Sequence, residues 1–451
     1  MVEQNRSAAS PNQALRVLIV CEHASAKFGG EAILPLHYFR VLRNRGFDVW
    51  LVTHARTRAE LSKLFVGEQR IHYVEDTWLH KLMWRVGEKL PAQIAYFTTG
   101  FVSRFAAQLT QRTIVRRLVA SERIDLVHQP MPVSPREPSM MYGFGVPVVI
   151  GPMNGGMDYP PNFRRHRGSL ERALLWIGRL SSSALNALIP GKRRAAVLLV
   201  ANARTRAALP RGVCPRVVEL VENGVDLALW QPRPDPTLAD TAMPPAAKPS
   251  PNTTTFVYLG RLIDWKAVDL LLHAFKKAAV ATNLRLLIIG DGVERAALES
   301  LASELGIRAA DEQHRDGVRF AGFLPQHLCV EELKRADCLV LPSLLECGGA
   351  TVLEAMSMAK PVIATAWGGP LDYLDESCGV LVPPAGREAL IQGLADAMVR
   401  LAQSPKLRTE MGRGGREKIL RDYDWEVKVD RILAVYRDAM SRHAGPTSRP
   451  C

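Results

Sequence analysis

Two glutamates eight positions apart, Glu346 and Glu354, bracket a diglycine turn. Cys338 to Pro342 is a short apolar run that reads as a buried parallel strand. Ser343, Glu346, Cys347, Gly348 and Gly349 form a polar turn. Thr351 to Met358 then reads as a helix, with Val352, Ala355, Met356 and Ala359 at helical spacing. Lys360-Pro361 ends that helix, and Val362 to Thr365 is the next strand. Glycines let a backbone approach a ligand closely. Free N–H groups at a helix start, with the helix dipole behind them, suit a diphosphate. A carboxylate accepts two hydroxyl hydrogen bonds, which suits a sugar or a ribose. Glutamates at this spacing are also ordinary loop and helix-surface residues, and the diglycine turn and flanking strands favour the chemical reading. A second group lies upstream: Phe256 to Leu259 is a strand, followed by Gly260-Arg261-Leu262, Lys266 and a helix from Val268 to Ala278. Cations at a helix start oppose its dipole unless an anion sits nearby.

The E-x7-E spacing within a strand–turn–helix resembles the signature of the retaining family 4 glycosyltransferases, which have the GT-B fold. The Gly-Arg-Leu…Lys stretch and the Asn223-Gly224-Val225-Asp226 segment resemble the same family. The resemblance implies a nucleotide-diphosphate sugar as donor, with no resident cofactor. Arg261 and Lys266 then point at the diphosphate, Glu354 holds the ribose, and Glu346 holds a donor-sugar hydroxyl. The amides of Gly348, Gly349 and Ala350, with Thr351 beside them, lie near phosphate or sugar. Gly322-Phe323 resembles the loop beside the base, and the Gly29-Gly30 loop lies near the donor phosphates and the acceptor. His128, near the end of the expected strand Ile124 to Gln129, falls where the family has a histidine able to bond donor or acceptor, although Gln129-Pro130 replaces the usual continuation. Asn154, Gly155 and Gly156 form a turn at the acceptor or cleft edge. Ala267 stands where the family has glycine, and its methyl group is tolerable unless the backbone needs positive φ.

Transfer with retention follows from the same resemblance. The leaving phosphate takes the acceptor proton on the same face, so no protein base is named. Asp422 and Asp424 form a D-x-D on a peripheral segment, where a metal site is not expected, and transfer is read as metal-independent.

Strand and helix signals alternate along the chain, which predicts two doubly wound Rossmann-like α/β domains facing across a cleft. Leu15 to Val20 opens the first βαβ unit, and its glycine turn lacks G-x-G-x-x-G, so a dinucleotide site is not supported. The expected organisation is a disordered N-terminus at 1–14 and an acceptor-binding domain at 15–226. A flexible insertion at 227–254, rich in Pro and Ala, separates it from a nucleotide-sugar domain at 255–425. A helix and tail at 426–451 cross back to the first domain.

Seven scattered cysteines, an odd number with no C-x-x-C, support neither a disulfide framework nor a zinc site. The 451 residues contain no apolar run long enough to span a bilayer, and the N-terminus has no signal pattern. Charge is uneven. Residues 1–225 hold 31 Lys and Arg against 16 Asp and Glu, whereas the remainder hold 27 against 29. A basic first half suggests an anionic partner. No nucleic-acid recognition motif accompanies it. Two stretches could instead lie on an anionic membrane surface. In 78–120, Trp78, Leu82, Trp84 and Val86 sit among His80, Lys81, Arg85 and Lys89; core helices with solvated faces are the rival reading. The second stretch has Arg164, Arg165, His166 and Arg167, then a long amphipathic helix with Leu174, Leu175, Trp176 and Ile177, ending in Lys192, Arg193 and Arg194.

These readings converge on a cytoplasmic transferase, peripheral on the inner face of the cell membrane. It would move a sugar to a glycan or lipid-linked acceptor in bacterial exopolysaccharide or lipopolysaccharide assembly. The rivals are a nucleotide-sugar epimerase, a glycogen-type phosphorylase, for which no pyridoxal-phosphate lysine is evident, and a non-catalytic nucleotide-sugar-binding subunit.

Overall fold

The computed structural model describes residues 15–28, 30–90, 94–95, 98–131, 134–166, 178, 181–232, 253–310 and 316–444. They divide into two compact units. The first takes its residues from 1–155, 174–222 and 429–451, the second from 156–173 and 223–428.

The first unit is built on seven parallel strands: β1 (Arg16–Val20), β2 (Asp48–His54), β3 (Ile71–Val74), β4 (Leu126–Gln129), β5 (Val148–Met153), β6 (Val197–Val200) and β7 (Val217–Glu219). Their order in the sheet is β3-β2-β1-β4-β5-β6-β7. β1, β5 and β6 are largely apolar runs and, with β4 (LVHQ), are buried along almost their whole length, as expected of a parallel sheet covered on both faces. The helix Ile33–Asn44 crosses from β1 to β2 and buries Leu34, Leu36, Tyr38, Phe39, Val41 and Leu42. Strand order reverses between β1 and β4, which pair with Leu18 opposite Val127. In open α/β sheets, ligands bind outside the carboxyl ends of the strands at such a switch point.

The second unit repeats the plan with six strands: β8 (Thr254–Leu259), β9 (Leu284–Ile289), β10 (Gly317–Gly322), β11 (Cys338–Leu341), β12 (Val362–Thr365) and β13 (Gly379–Val382). Their order is β10-β9-β8-β11-β12-β13, all parallel, and the switch point lies between β8 and β11. The helix Val268–Ala278 shows the local logic. Val268, Leu271, Leu272 and Phe275 are buried, while Lys276 and Lys277 occupy its last turn, where cations suit the dipole.

Several expectations are refined. The 78–120 stretch forms two helices, Trp78–Gly87 and Thr99–Ser121. The long helix expected to end at Arg194 does not run through. Residues 181–188 are helical, and a separate short helix, Gly191–Arg194, starts after Pro190, which has no N–H to continue the ladder. Lys192 is not a surface cation: it is 1% exposed and donates to the carbonyls of Ser134 (3.3 Å) and Pro135 (2.8 Å). Burial lowers its pKa to about 7. Leu174 to Ile177, Arg167, Gly29 and most of the 227–254 insertion lie outside the described residues. The C-terminal helix is Trp425–His443.

Candidate functional site

At the switch point of the second unit, two loops leave neighbouring strands side by side. One follows β8 and carries Arg261 and Lys266; the other follows β11 and carries Glu346 to Gly349. Parallel pairing of Cys338 with Phe256 and Leu339 with Val257 brings the two loops to the same sheet end. Backbone bonds then lock them: the Leu344 N–H donates to the Trp265 carbonyl at 2.9 Å. The Lys266 ammonium is paired with the Glu346 carboxylate. Both side chains are about one-seventh exposed, at 14% and 13%. These residues stand 80 positions apart in the sequence, and the fold makes them direct partners.

The β11 loop turns into its helix through Gly349, whose φ of +76° is a left-handed conformation that favours glycine. Gly349 precedes the helix Ala350–Ser357, so the amides of Ala350 and Thr351 are among its N-terminal donors. A third loop, after β12, buttresses the turn. The Gly369 N–H donates to the Glu346 carbonyl at 2.7 Å. Gly368 has φ +73°, and a Cβ there would stand 2.3 Å from that same carbonyl oxygen.

Glu354 sits one turn into the helix, half-buried, and no described residue donates a hydrogen bond to its carboxylate. Burial raises its pKa to about 7. Arg261 is exposed and has no acidic partner among the described residues. Tyr258 joins the site without belonging to any of its sequence motifs. It is fully buried on β8, and its hydroxyl donates to the Arg261 carbonyl at 2.9 Å, fixing the loop that carries the cations. Burial, then the nearby Glu346 carboxylate, pushes its phenol pKa up. A tyrosine in a wholly buried strand must find a polar partner, which is the signal that could have revealed it.

Gly322 ends β10 with φ +72°, and its carbonyl accepts from the Gly290 N–H at 2.8 Å, so the β9 and β10 ends are also joined. Phe323 is 77% exposed beside it.

Ala267 supplies a condition that the sequence left open. Its backbone is left-handed, at φ 52° and ψ 39°, between the short turn Asp264–Lys266 and the helix that follows. The position therefore asks for glycine and holds alanine.

The first unit's candidates are placed differently. His128 lies on β4 and is fully buried. One ring nitrogen is 2.6 Å from the Gly151 carbonyl and the other 2.6 Å from the Tyr436 hydroxyl. The rings of Tyr38 and Tyr436 meet it edge-on. Both nitrogens are thus committed to internal partners, because the strand end expected to be open is covered by the C-terminal helix that carries Tyr436. Asn154 is buried too: its amide donates to Glu222 and its oxygen accepts from the Thr205 hydroxyl at 3.3 Å. The Gly155 N–H donates to the same hydroxyl at 3.1 Å. Gly156 has φ +74°, and Gly30 has open space at its Cα. No group of His, Cys, Asp and Glu suited to a metal ion occurs among the described residues; Asp422 pairs instead with Arg421.

Residues 241–418 match the family model described as "Glycosyl transferases group 1". A D-inositol 3-phosphate glycosyltransferase of Saccharomonospora viridis is 31% identical over 242 residues, which is 51% of this chain and 52% of that protein. The chain thus spans about half the length of the curated relatives it matches. Among solved structures, sucrose-phosphate synthase from Thermosynechococcus elongatus aligns with a TM-score of 0.60 at 19% identity, over 95% of this chain and 100% of that one. The Anabaena protein HepE, solved in complex with UDP, aligns with a TM-score of 0.60 at 15% identity, over 94% and 100%. These likenesses show the fold, GT-B.

Proposed function

We propose that the chain is a glycosyltransferase that binds a nucleotide-diphosphate sugar at the β8–β11 switch point and passes the sugar to a glycan or lipid-linked acceptor. The observation that carries the reading is the convergence there of Lys266, Arg261, Glu346 and a glycine-led helix N-terminus, within the segment that matches the family model. In this reading the Glu354 carboxylate accepts from the ribose hydroxyls. Arg261, Lys266 and the first amides of the helix Ala350–Ser357 hold the diphosphate. Negative charge grows on that diphosphate as the sugar leaves, so fixed cations there stabilise the transition state more than the ground state.

The Lys266–Glu346 pair acts as a spacer before the donor arrives. The ammonium is held where the diphosphate will lie, and the carboxylate where a sugar hydroxyl will donate to it. Transfer retains anomeric configuration, with the departing phosphate oxygen taking the acceptor's proton on the same face. Phe323 lies beside the base. The basic first half provides for an anionic acceptor, such as one ending in a lipid diphosphate, and a surface-polysaccharide pathway is the setting we infer. The name of the Saccharomonospora relative supports glycosyl transfer, and the UDP complex of HepE supports a nucleotide as part of the donor.

The test is acceptor-dependent release of nucleoside diphosphate from a panel of nucleotide sugars. The wild type is expected to turn over one of them, with Glu346→Ala and Lys266→Ala nearly inactive. Isomerised sugar formed without acceptor would point to an epimerase instead, and wild-type rates in both variants would remove the proposed site.

A further inference from the structure

The helix Trp78–Gly87 follows β3 directly and has two unlike faces. Its inner face is anchored. His80 is 3% exposed, and its Nδ1 accepts from the Thr77 backbone N–H at 3.1 Å, capping the helix start. Leu79 and Met83 are partly buried, and a Cβ at Gly87 would stand 2.8 Å from the Thr99 hydroxyl, so the next helix packs closely there. The outer face exposes large apolar side chains. Trp78 is 75% exposed, Trp84 66%, Leu82 44% and Val86 40%. Trp78, Leu82 and Val86 recur every four residues and form one stripe. Lys81 and Arg85, both exposed, run beside it, Trp84 lies on their far side, and Lys89 follows the helix end.

We propose that this face docks on an anionic lipid bilayer. An apolar face of this kind on one short helix marks an interaction surface. The interleaved cations decide its partner. Lysine is depleted from the cores of protein interfaces, where it would be desolvated. In the headgroup layer it keeps its water and meets lipid phosphates, while indole rings sit at the acyl boundary. No helix among the described residues is long and apolar enough to cross a membrane, so this helix lies on the surface rather than spanning it.

The face is also wired to the loop after β1. The His80 ring lies 6.1 Å from the His54 ring, His54 lies 6.2 Å from His23, and His23 meets Phe28 edge-on at 5.4 Å. Phe28 is 51% exposed. This chain of rings joins the outer helix to the carboxyl end of β1, at the first unit's switch point. A lipid-borne acceptor would therefore be met at the end of the sheet where a ligand of this unit belongs. Docking itself stands on the exposed residues alone; only its use for a lipid acceptor rests on the transferase reading.

Flotation of the full chain with vesicles tests this. One set is pure phosphatidylcholine and the other contains about one-third phosphatidylglycerol. The wild type is expected to float with the anionic vesicles and to be released by salt. Each of Lys81→Gln, Arg85→Gln and Lys89→Gln should weaken partitioning by on the order of fivefold. Trp78→Ser with Trp84→Ser should abolish it, with an unchanged melting temperature and an unchanged thermal shift with nucleotide. Three outcomes would overturn the proposal: equal flotation on neutral vesicles, variants that float like the wild type, or a wild-type dimer that Trp78→Ser dissociates without any vesicle binding. Loss of the nucleotide shift in the wild type would instead count against the donor site and leave the docking result standing.

Discussion

The two units share one plan and differ at the point where that plan makes room for a ligand. In each, strand order reverses between the first strand and the fourth, so two loops diverge at one sheet end. In the second unit those loops present Arg261, Lys266, Glu346 and a helix N-terminus. In the first, the ends of β4 and β5 are held by internal bonds, while Phe28 in the loop after β1 stays exposed. His128 is buried between Gly151 and Tyr436, and Asn154 is tied to Thr205 and Glu222. The same strand order thus comes with a cluster of charged side chains in one unit and with buried internal bonds in the other.

The largest expected effect lies in the second unit. Glu346→Ala and Lys266→Ala should each lower the transfer rate on the order of a hundredfold or more, as removing a preorganised charge from a developing anion does. Melting temperatures should also fall, because each change leaves its partner's charge unpaired and mostly buried, but the variants should remain folded at the assay temperature. A steady-state assay beside a thermal melt checks both.

A different pattern is expected of His128→Ala. It leaves the Gly151 carbonyl and the Tyr436 hydroxyl unpaired in a buried site and opens a cavity, at a cost of about 2–4 kcal/mol in urea unfolding. Nucleotide binding by the folded protein should be unchanged. A variant that melts like the wild type yet transfers no sugar would reverse the contrast and make His128 a ligand-contacting residue.

Glu354 gives a pH test. Its folded pKa of about 7 is above the ordinary carboxylate value of 4.5, so between those values the folded state binds the extra proton. Stability from this group is full below about 4.5 and is lost as pH rises through about 7. Glu354→Gln should therefore flatten that slope and stabilise the protein in mild alkali by on the order of 2 kcal/mol. Affinity for a nucleotide sugar should move the other way in the wild type, rising as the carboxylate ionises and can accept from both ribose hydroxyls. Calorimetric titration on either side of neutrality reads both directions.

The smallest effect concerns Ala267. Its left-handed backbone strains a Cβ by about 1 kcal/mol, so Ala267→Gly should stabilise the protein by up to that amount and leave transfer intact. A melt that falls instead would mean that packing of the buried methyl outweighs the backbone term.

Much of this was legible in the sequence because parallel strands buried on both faces must be continuous apolar runs. Val197 to Val200 and Cys338 to Leu341 could hardly be read otherwise. The residues proposed for the donor stand out in the sequence for a different reason: cations at a helix start oppose its dipole unless an anion sits nearby. What stayed hidden depends on distant partners. Nothing around His128 announces that Tyr436, 308 positions away, will cap it. Lys192 reads as one of three surface cations until the carbonyls of Ser134 and Pro135 are seen to enclose it. Nor could the sequence say that Ala267 would need positive φ, since that follows from where the β8 loop must deliver Lys266.

The most direct test of the central claim is isothermal titration of the wild type, Lys266→Ala and Glu354→Ala with the uridine, guanosine, adenosine and thymidine diphosphates. Saturable one-to-one binding of one of them by the wild type is expected, with affinity reduced on the order of tenfold or more in each variant. A nucleotide that binds all three proteins equally well, or the failure of all four to bind the wild type, would contradict a diphosphate site at the β8–β11 switch point.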